Sequence, residues 1–300
     1  MSNTTQLIPT IHVVGTSLPE VWEESVLKTW KHGMRMPTQY DSETDPMSRD
    51  VTAMLVVTDP FAEPRYHRNF PDSFYGLYKY VAEVLDGVDD DARAALGTYT
   101  YHERMTKYGV WAWDDADQNP NGPYAEVNLH EVNQLDNVLD ALTECPYTRR
   151  AQATIWQPWK DYNDEYPACL QRLWFRVIPR EGAEYLCMSV EMRSNDGLMA
   201  ALMNATAFTE LQRRMAAQLA KRLGRPIKVG QYTHRADSYH IYGSRFDKME
   251  AFLKDVEGRR TWEERTWTTE QANALGLEDA RIAVEKQYGL GDDWLRYDNL

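Results

Sequence analysis

The sequence is poor in two things, cysteine and positive charge. Its three cysteines are Cys145, Cys169 and Cys187, an odd number with no Cys-x-x-Cys spacing. Such a set makes neither a disulfide framework nor a zinc site, and it fits reduced thiols in a cytoplasmic protein that holds no metal. Thirty-three Lys and Arg stand against 46 Asp and Glu, a net charge of −13. Wrapping nucleic acid needs a basic face, so this balance argues against a nucleic-acid partner, although a few clustered arginines can still hold a small anion. Long apolar runs are missing too. No stretch approaches the about 18–20 residues of a membrane span, and the opening MSNTTQLIPTIHVVG has no basic segment followed by an apolar one, which excludes a secretory signal. Neither internal repeats nor low-complexity tracts are found.

What is present is apolar and aromatic: 43% of residues are hydrophobic, enough for a sizeable core. Residues 8–16 read as a short strand. In 18–33, Val21, Trp22, Val26, Leu27 and Trp30 share one helical face, closed by Gly33. The polar run 35–50 reads as a loop and 51–60 as a strand stopped by Asp-Pro. An amphipathic helix is predicted over 73–86 between Ser73 as N-cap and Gly87. Another spans 131–144. Strands follow at 150–157, 170–178 and 184–192, a long helix at 198–223 before Gly224-Arg225-Pro226, strands at 226–232 and 237–242, and a helix over 244–256. The pattern predicts one α+β domain over 1–300, a mixed or antiparallel sheet with packed helices, and a charged, helical C-terminal segment 257–300.

Four short segments carry chemistry: 149-RRAQATIW-156, 167-PAC-169, 191-EMRSNDGLMAALMN-204 and 237-DSYHIY-242. Each alone has an ordinary reading. A lone cysteine is usually core, an Arg-Arg pair is usually solvated surface, and an asparagine in a helix is usually a satisfied amide. In this order and with these gaps, the four resemble the thymidylate synthase family, which includes the pyrimidine nucleotide hydroxymethylases. The likeness covers residues 130–256 well and 18–110 loosely.

The resemblance implies a homodimer that transfers a one-carbon unit from 5,10-methylenetetrahydrofolate to C5 of a pyrimidine nucleoside monophosphate. It makes Cys169 the nucleophile that adds to C6. Arg149 and Arg150 would reach the partner subunit's phosphate, Arg193 and Ser194 would cradle the phosphate, and Asp196 would contact the folate. Asn204 would read the base, while His240 and Tyr242, two apart and so on one strand face, would hold the sugar 3′-hydroxyl. Arg49 resembles the family's mobile phosphate clamp. The chemistry agrees: C5 becomes nucleophilic only once something adds to C6, and a thiolate both adds and leaves well. A neighbouring guanidinium favours the thiolate, which assigns Arg193 to acidifying Cys169. An amide pairs with uracil's O4 and N3–H, so Asn204 favours dUMP.

The sequence also departs from the family. Leu170 follows the nucleophile where the family carries His, and the helix that should hold a proton-shuttling glutamate reads YKYVAEVLDG. Glu63 is assigned that role, with Glu83 as the other substitute. The terminal GDDWLRYDNL follows a charged stretch rather than forming a short apolar tail over the folate. A different lid admits water to the last step, which places hydroxymethylation ahead of the reductive methylation of thymidylate synthases. A dCMP or CMP hydroxymethylase remains an alternative. From other classes come a nucleotide-binding regulator without catalysis, which retention of Cys169 and Arg193 disfavours, and a cysteine hydrolase, for which no base histidine lies near Cys169 in sequence.

Overall fold

The computed structural model describes residues 7–109, 131–258 and 261–297. Its strands are β1 (Thr10–Gly15), β2 (Met34–Met36), β3 (Ser48–Val57), β4 (Tyr66–His67), β5 (Tyr108–Gly109), β6 (Glu131–Val132), β7 (Gln152–Thr154), β8 (Leu170–Arg180), β9 (Ala183–Asp196), β10 (Lys228–Ile241) and β11 (Thr266–Trp267). Its helices are α1 (Leu18–His32), α2 (Phe74–Asp86), α3 (Asp90–Ala95), α4 (Tyr101–Thr106), α5 (Gln134–Glu144), α6 (Pro158–Asp161), α7 (Ala201–Leu223), α8 (Phe246–Gly258), α9 (Trp262–Arg265), α10 (Thr269–Asn273) and α11 (Leu277–Tyr288).

The main sheet has the order β1-β3-β10-β9-β8-β7, with β2 on the opening residues of β3. The β1–β3 and β10–β9 pairs are parallel, and β3–β10, β9–β8 and β8–β7 are antiparallel, so the sheet is mixed. Alternate residues of the long strands point into the core: Ala53, Leu55 and Val57 on β3, Leu173, Phe175 and Val177 on β8, and Leu186, Met188 and Val190 on β9. Helices α1 and α7 cover this face and bury Val21, Trp22 and Val26 from one and Phe208, Leu211 and Met215 from the other. Trp174, Arg176, Tyr185, Cys187, Gln231 and Thr233 line a groove of about 850 Å³ on the sheet.

Local chemistry sets the helix ends. The Ser73 hydroxyl accepts from Gly76 N at 3.0 Å and opens α2, and Gly87 closes it in the left-handed conformation at φ 65°. Gly33 ends α1 for a different reason: its backbone is extended, and a Cβ there would stand 2.5 Å from Thr29 O.

The structure differs from the sequence-based boundaries in four places. Residues 35–50 are not all loop. They contain most of β2 and the start of β3, whose Ser48, Arg49 and Asp50 are polar yet laddered. The helix of 131–144 starts at Gln134, because the Asn133 side chain accepts from Asp136 N and Glu131–Val132 pair as strand. The strands of 226–232 and 237–242 are one strand, β10, interrupted by a register shift between Ala236 and Tyr239. The segment 257–300 is not purely helical: β11 pairs with β4 and joins it to the body. Among the described residues no helix is long and apolar enough to cross a membrane.

Candidate active site

Strand direction gathers the site. β9 and β10 run parallel and finish side by side, while β3 and β8 run against them and begin there. One end of the sheet therefore collects Cys169 just before β8, Arg193, Ser194 and Asp196 at the end of β9, His240 at the end of β10, and Arg49 and Asp50 at the start of β3. Helix α7 follows β9 directly and supplies Asn204 from its first turns.

Two charged side chains clamp the residues before Cys169. Asp161, fully buried at the end of α6, accepts from Ala168 N at 3.1 Å and from Gln157 N at 2.6 Å. Arg104 of α4 donates to the same carboxylate at 3.0 Å, and both partners are almost wholly buried. On the other side, Arg193 donates Nη2 to Pro167 O at 2.6 Å and Nε to Ala168 O at 3.0 Å. Its Nη2 also stands 3.7 Å from Cys169 Sγ. The turn carrying the thiol is thus fixed by charge-assisted bonds on both flanks.

That geometry revises the expected acidification. Burial pushes the half-buried Cys169 thiol up, and the Arg193 charge offsets this only in part. Burial therefore favours the thiol, and Arg193 gives two of its donors to backbone carbonyls rather than to Sγ. Four phenols, those of Tyr80, Tyr99, Tyr101 and Tyr242, lie within electrostatic reach of Cys169.

Asn204 is buried, and Tyr80 of α2 donates its hydroxyl to Asn204 Oδ1 at 2.5 Å. Burial first, and Glu83 second, push the Tyr80 phenol well up, so it stays protonated and remains a donor. Asp196 Oδ1 accepts from Leu198 N and Met199 N, both at 3.0 Å, yet burial still holds its carboxyl above the usual range. His240 Nδ1 lies 3.3 Å from Ser238 Oγ, and its buried Nε2 has no partner among the described residues. The Tyr242 ring meets the His240 ring edge-on at 4.4 Å, and burial pushes its phenol up to about 12. Ser194 stands beside Ser238 in the β9–β10 register.

Other expected residues lie elsewhere or differently. Arg49 is a strand residue rather than a loop clamp. Its guanidinium sits 5.3 Å from the Trp30 ring and reaches Gly33 O, opposite Arg35 on β2. Arg149 and Arg150 are exposed and precede β7 instead of lying on it, and Arg149 O accepts from Trp174 Nε1 at 3.0 Å. Glu63 is not brought to the site. It follows the far end of β3 and accepts from Arg65 N and Thr269 N, each at 3.1 Å, because β3 carries the chain away from Asp50. Glu83 is one helical turn beyond Tyr80, with Arg93, Asp89 and Lys79 as its charged neighbours, and burial raises its carboxyl.

Tyr80, Asp161 and Arg104 were not singled out from sequence. Tyr80 lies in the helix that lacks the family's glutamate, and its spacing from the buried Leu77 and Val84 is the signal that could have found it. Nothing local marks Asp161 or Arg104, which meet across 57 residues of chain.

Comparison with known proteins bears on family and fold. Residues 88–280 match the thymidylate synthase family model. The chain is 27% identical over 245 residues to a putative thymidylate synthase of Methanocaldococcus jannaschii, covering 80% of this chain and 94% of that one. It is 30% identical over 158 residues to the thymidylate synthase of Streptococcus mutans, covering 49% of this chain and 52% of the relative, so it spans about half the length of that enzyme. The thermostable thymidylate synthase A from Bacillus subtilis has a similar fold, with a TM-score of 0.55 at 16% identity, over 80% of this chain and 85% of that one.

Proposed function

The chain belongs to the thymidylate synthase family, and from that premise we propose that it transfers a one-carbon unit from 5,10-methylenetetrahydrofolate to C5 of a pyrimidine nucleoside monophosphate, with a 5-hydroxymethyl product. The observation that carries this reading is the clamped Cys169, with Sγ 3.7 Å from Arg193 and Asn204 and His240 at the same end of the sheet.

Each residue takes a role from its contacts. Asn204 reads the base with its amide, held by the Tyr80 phenol, and favours uracil, so dUMP is the proposed substrate. His240 and Tyr242 take the sugar hydroxyl. Arg193 and Ser194 hold the phosphate together with Arg49, whose guanidinium is drawn below its ordinary value by burial and by the neighbouring Arg35 and so gains from an anion. A site that holds the thiol protonated needs a proton acceptor at the moment of attack. Cys169 gives its proton to solvent water and adds to C6 as the thiolate, and the electron pair of the C5–C6 bond moves to C5 and O4. When bound, the folate supplies the carbon at the formaldehyde level of oxidation. Asp196 would fit a pterin: its Oδ1 is committed to two backbone amides, and the rest of the carboxylate would accept from ring N–H groups.

Two further features support the wider reading. The groove on the sheet is lined by the half-buried Trp174 and Tyr185, and the Arg149 turn is bonded to Trp174. A second copy docked there would receive Arg149 and Arg150, which favours a homodimer. We also take 1–300 as one unit, because Trp294 Nε1 donates to Asp86 and Arg214 to Tyr297, returning the C-terminal segment to α2 and α7. That same anchoring favours water over hydride in the last step, since Trp294 and Tyr297 are engaged on α2 and α7. Reductive methylation is the second reading, favoured by the names of the relatives.

Mass spectrometry of dUMP, dCMP and CMP after incubation with the protein and methylenetetrahydrofolate tests the proposal. A gain of about 30 Da on dUMP is expected; about 14 Da would establish the reductive reaction instead. No change on any nucleotide would sink the catalytic reading.

A further inference from the structure

The β10 irregularity carries an inference about how the sugar is read. Before it, Ala236 faces Ala53 on β3; after it, His240 faces Asp50. Had the first register continued, Asp50 would stand opposite Tyr239. The extra residue therefore sets an aspartate, a serine and a histidine in one row, with Ser238 Oγ 2.5 Å from Asp50 Oδ2 and 3.3 Å from His240 Nδ1.

This row has a fixed polarity. A carboxylate only accepts, so the single Ser238 hydroxyl proton lies on its bond to Asp50. Ser238 Oγ then meets the imidazole with a lone pair, and Nδ1 must bring the proton to that contact. In a neutral ring the other nitrogen, Nε2, is consequently an acceptor. It is also the buried atom without a protein partner, on a residue only 4% exposed. A buried acceptor that the chain leaves open is completed by a ligand donor. Resting on the nucleotide reading above, we propose that Asp50 and Ser238 are positioning residues that hold His240 as the Nδ1–H tautomer, so that Nε2 selects nucleotides whose sugar carries a free hydroxyl as hydrogen-bond donor.

The groups around His240 bear on the alternative, a doubly protonated ring. Asp50 lies across on β3 and Asp196 across on β9, the Tyr242 phenol touches the ring edge, and Arg245 follows on the same chain turn. A doubly protonated ring would donate from Nε2 instead. The nitrogen signals of His240 distinguish the two states directly.

Nitrogen-15 spectra of the histidine-labelled protein at mildly alkaline pH give the first arm. A proton on Nδ1 and a bare Nε2 are expected, and Ser238→Ala shifts the ring toward the Nε2–H form. A protonated Nε2 in the wild type would overturn the proposal. The second arm measures the dissociation constants of dUMP and of 2′,3′-dideoxyuridine monophosphate, which differ by one hydroxyl. The wild type is expected to prefer dUMP by about 10- to 100-fold. In Asp50→Asn the amide can donate to Ser238, which frees the hydroxyl proton for Nδ1 and reverses the row. That preference then falls to within about 3-fold, through weaker dUMP binding, while the dideoxy compound binds as before. A merely structural role would weaken both ligands alike, and an unchanged preference in both variants would also overturn the assignment. Failure of the wild type to bind either nucleotide would count against the proposed function, and the nitrogen spectrum would still decide the tautomer.

Discussion

Two regions of this molecule bury carboxylates and resolve them in opposite directions. Where the C-terminal segment docks, Glu23 of α1 meets Arg265 at 2.8 and 3.0 Å and His67 at 2.9 Å. Burial pulls its carboxyl up, but His67 and Arg265 together pull it further down, and it ends below its ordinary value. At the Cys169 end of the sheet, Asp196 receives two backbone amides and the field of His240, and it still ends above its ordinary value because burial wins. Asp50 behaves the same way despite Ser238 and His240. The docking region completes its charges within the chain, which is how structure is held. The other region leaves its charges incomplete, which is how a ligand site waits.

Substitutions can break or sharpen that contrast. The largest effect is expected from Cys169→Ser, with turnover falling by more than about 10³-fold while the urea midpoint stays put. A parallel loss of stability would mean that Cys169 belongs to the structural class. Next comes Asp161→Ala, which leaves the Arg104 guanidinium buried without its carboxylate and should cost about 3–5 kcal/mol in urea unfolding. A loss under about 1 kcal/mol would show that the clamp on Ala168 is not a closed buried pair.

Glu23→Gln should cost about 1–3 kcal/mol at neutral pH. Because the folded carboxyl lies below its unfolded value, the stabilisation is present at neutral pH and is lost as pH falls through the lowered value. Urea midpoints measured against pH should therefore converge for wild type and variant in acid. Tyr80→Phe frees Asn204 Oδ1 and should lower kcat/KM for dUMP by about 10-fold, with less discrimination against dCMP. Steady-state kinetics on both nucleotides checks it.

The smallest effect has the reverse sign. Asp196→Asn should raise stability at neutral pH by less than about 1 kcal/mol, since the amide oxygen still serves Leu198 N and Met199 N. The raised folded value means that Asp196 favours the fold in acid and ceases to as pH rises through that value. Wild type and variant should therefore draw together in acid and separate toward neutrality. A variant less stable at neutral pH would erase the distinction between the two regions.

The contrast also marks what could be read from sequence. Periodicity and end signals located α2 between Ser73 and Gly87 and the close of α7 at Gly224, because these depend on neighbours within a turn. The order of the motifs was enough to expect Cys169, Arg193, Asn204 and His240 in one place, and strand direction brings them there. Glu63 failed because a position after β3 says nothing of which end of the strand it occupies. Residues 48–50 read as loop because their polarity hides the strand. The Asp161–Arg104 pair and the β10 register shift depend on partners remote in sequence, and no local pattern reports them.

The clamp around Ala168 has one more consequence, for the order of folding. Its members come from position 104, the stretch 161–168 and position 193, so the thiol's setting exists only after three separated segments have met. Loops of that length close late and slowly compared with a helix turn. Until then Cys169 is an ordinary solvated thiol, open to alkylation at the rate of any free cysteine. Its reactivity toward a simple electrophile is therefore a clock for the refolding chain, and it falls when burial and the protonated state are established together.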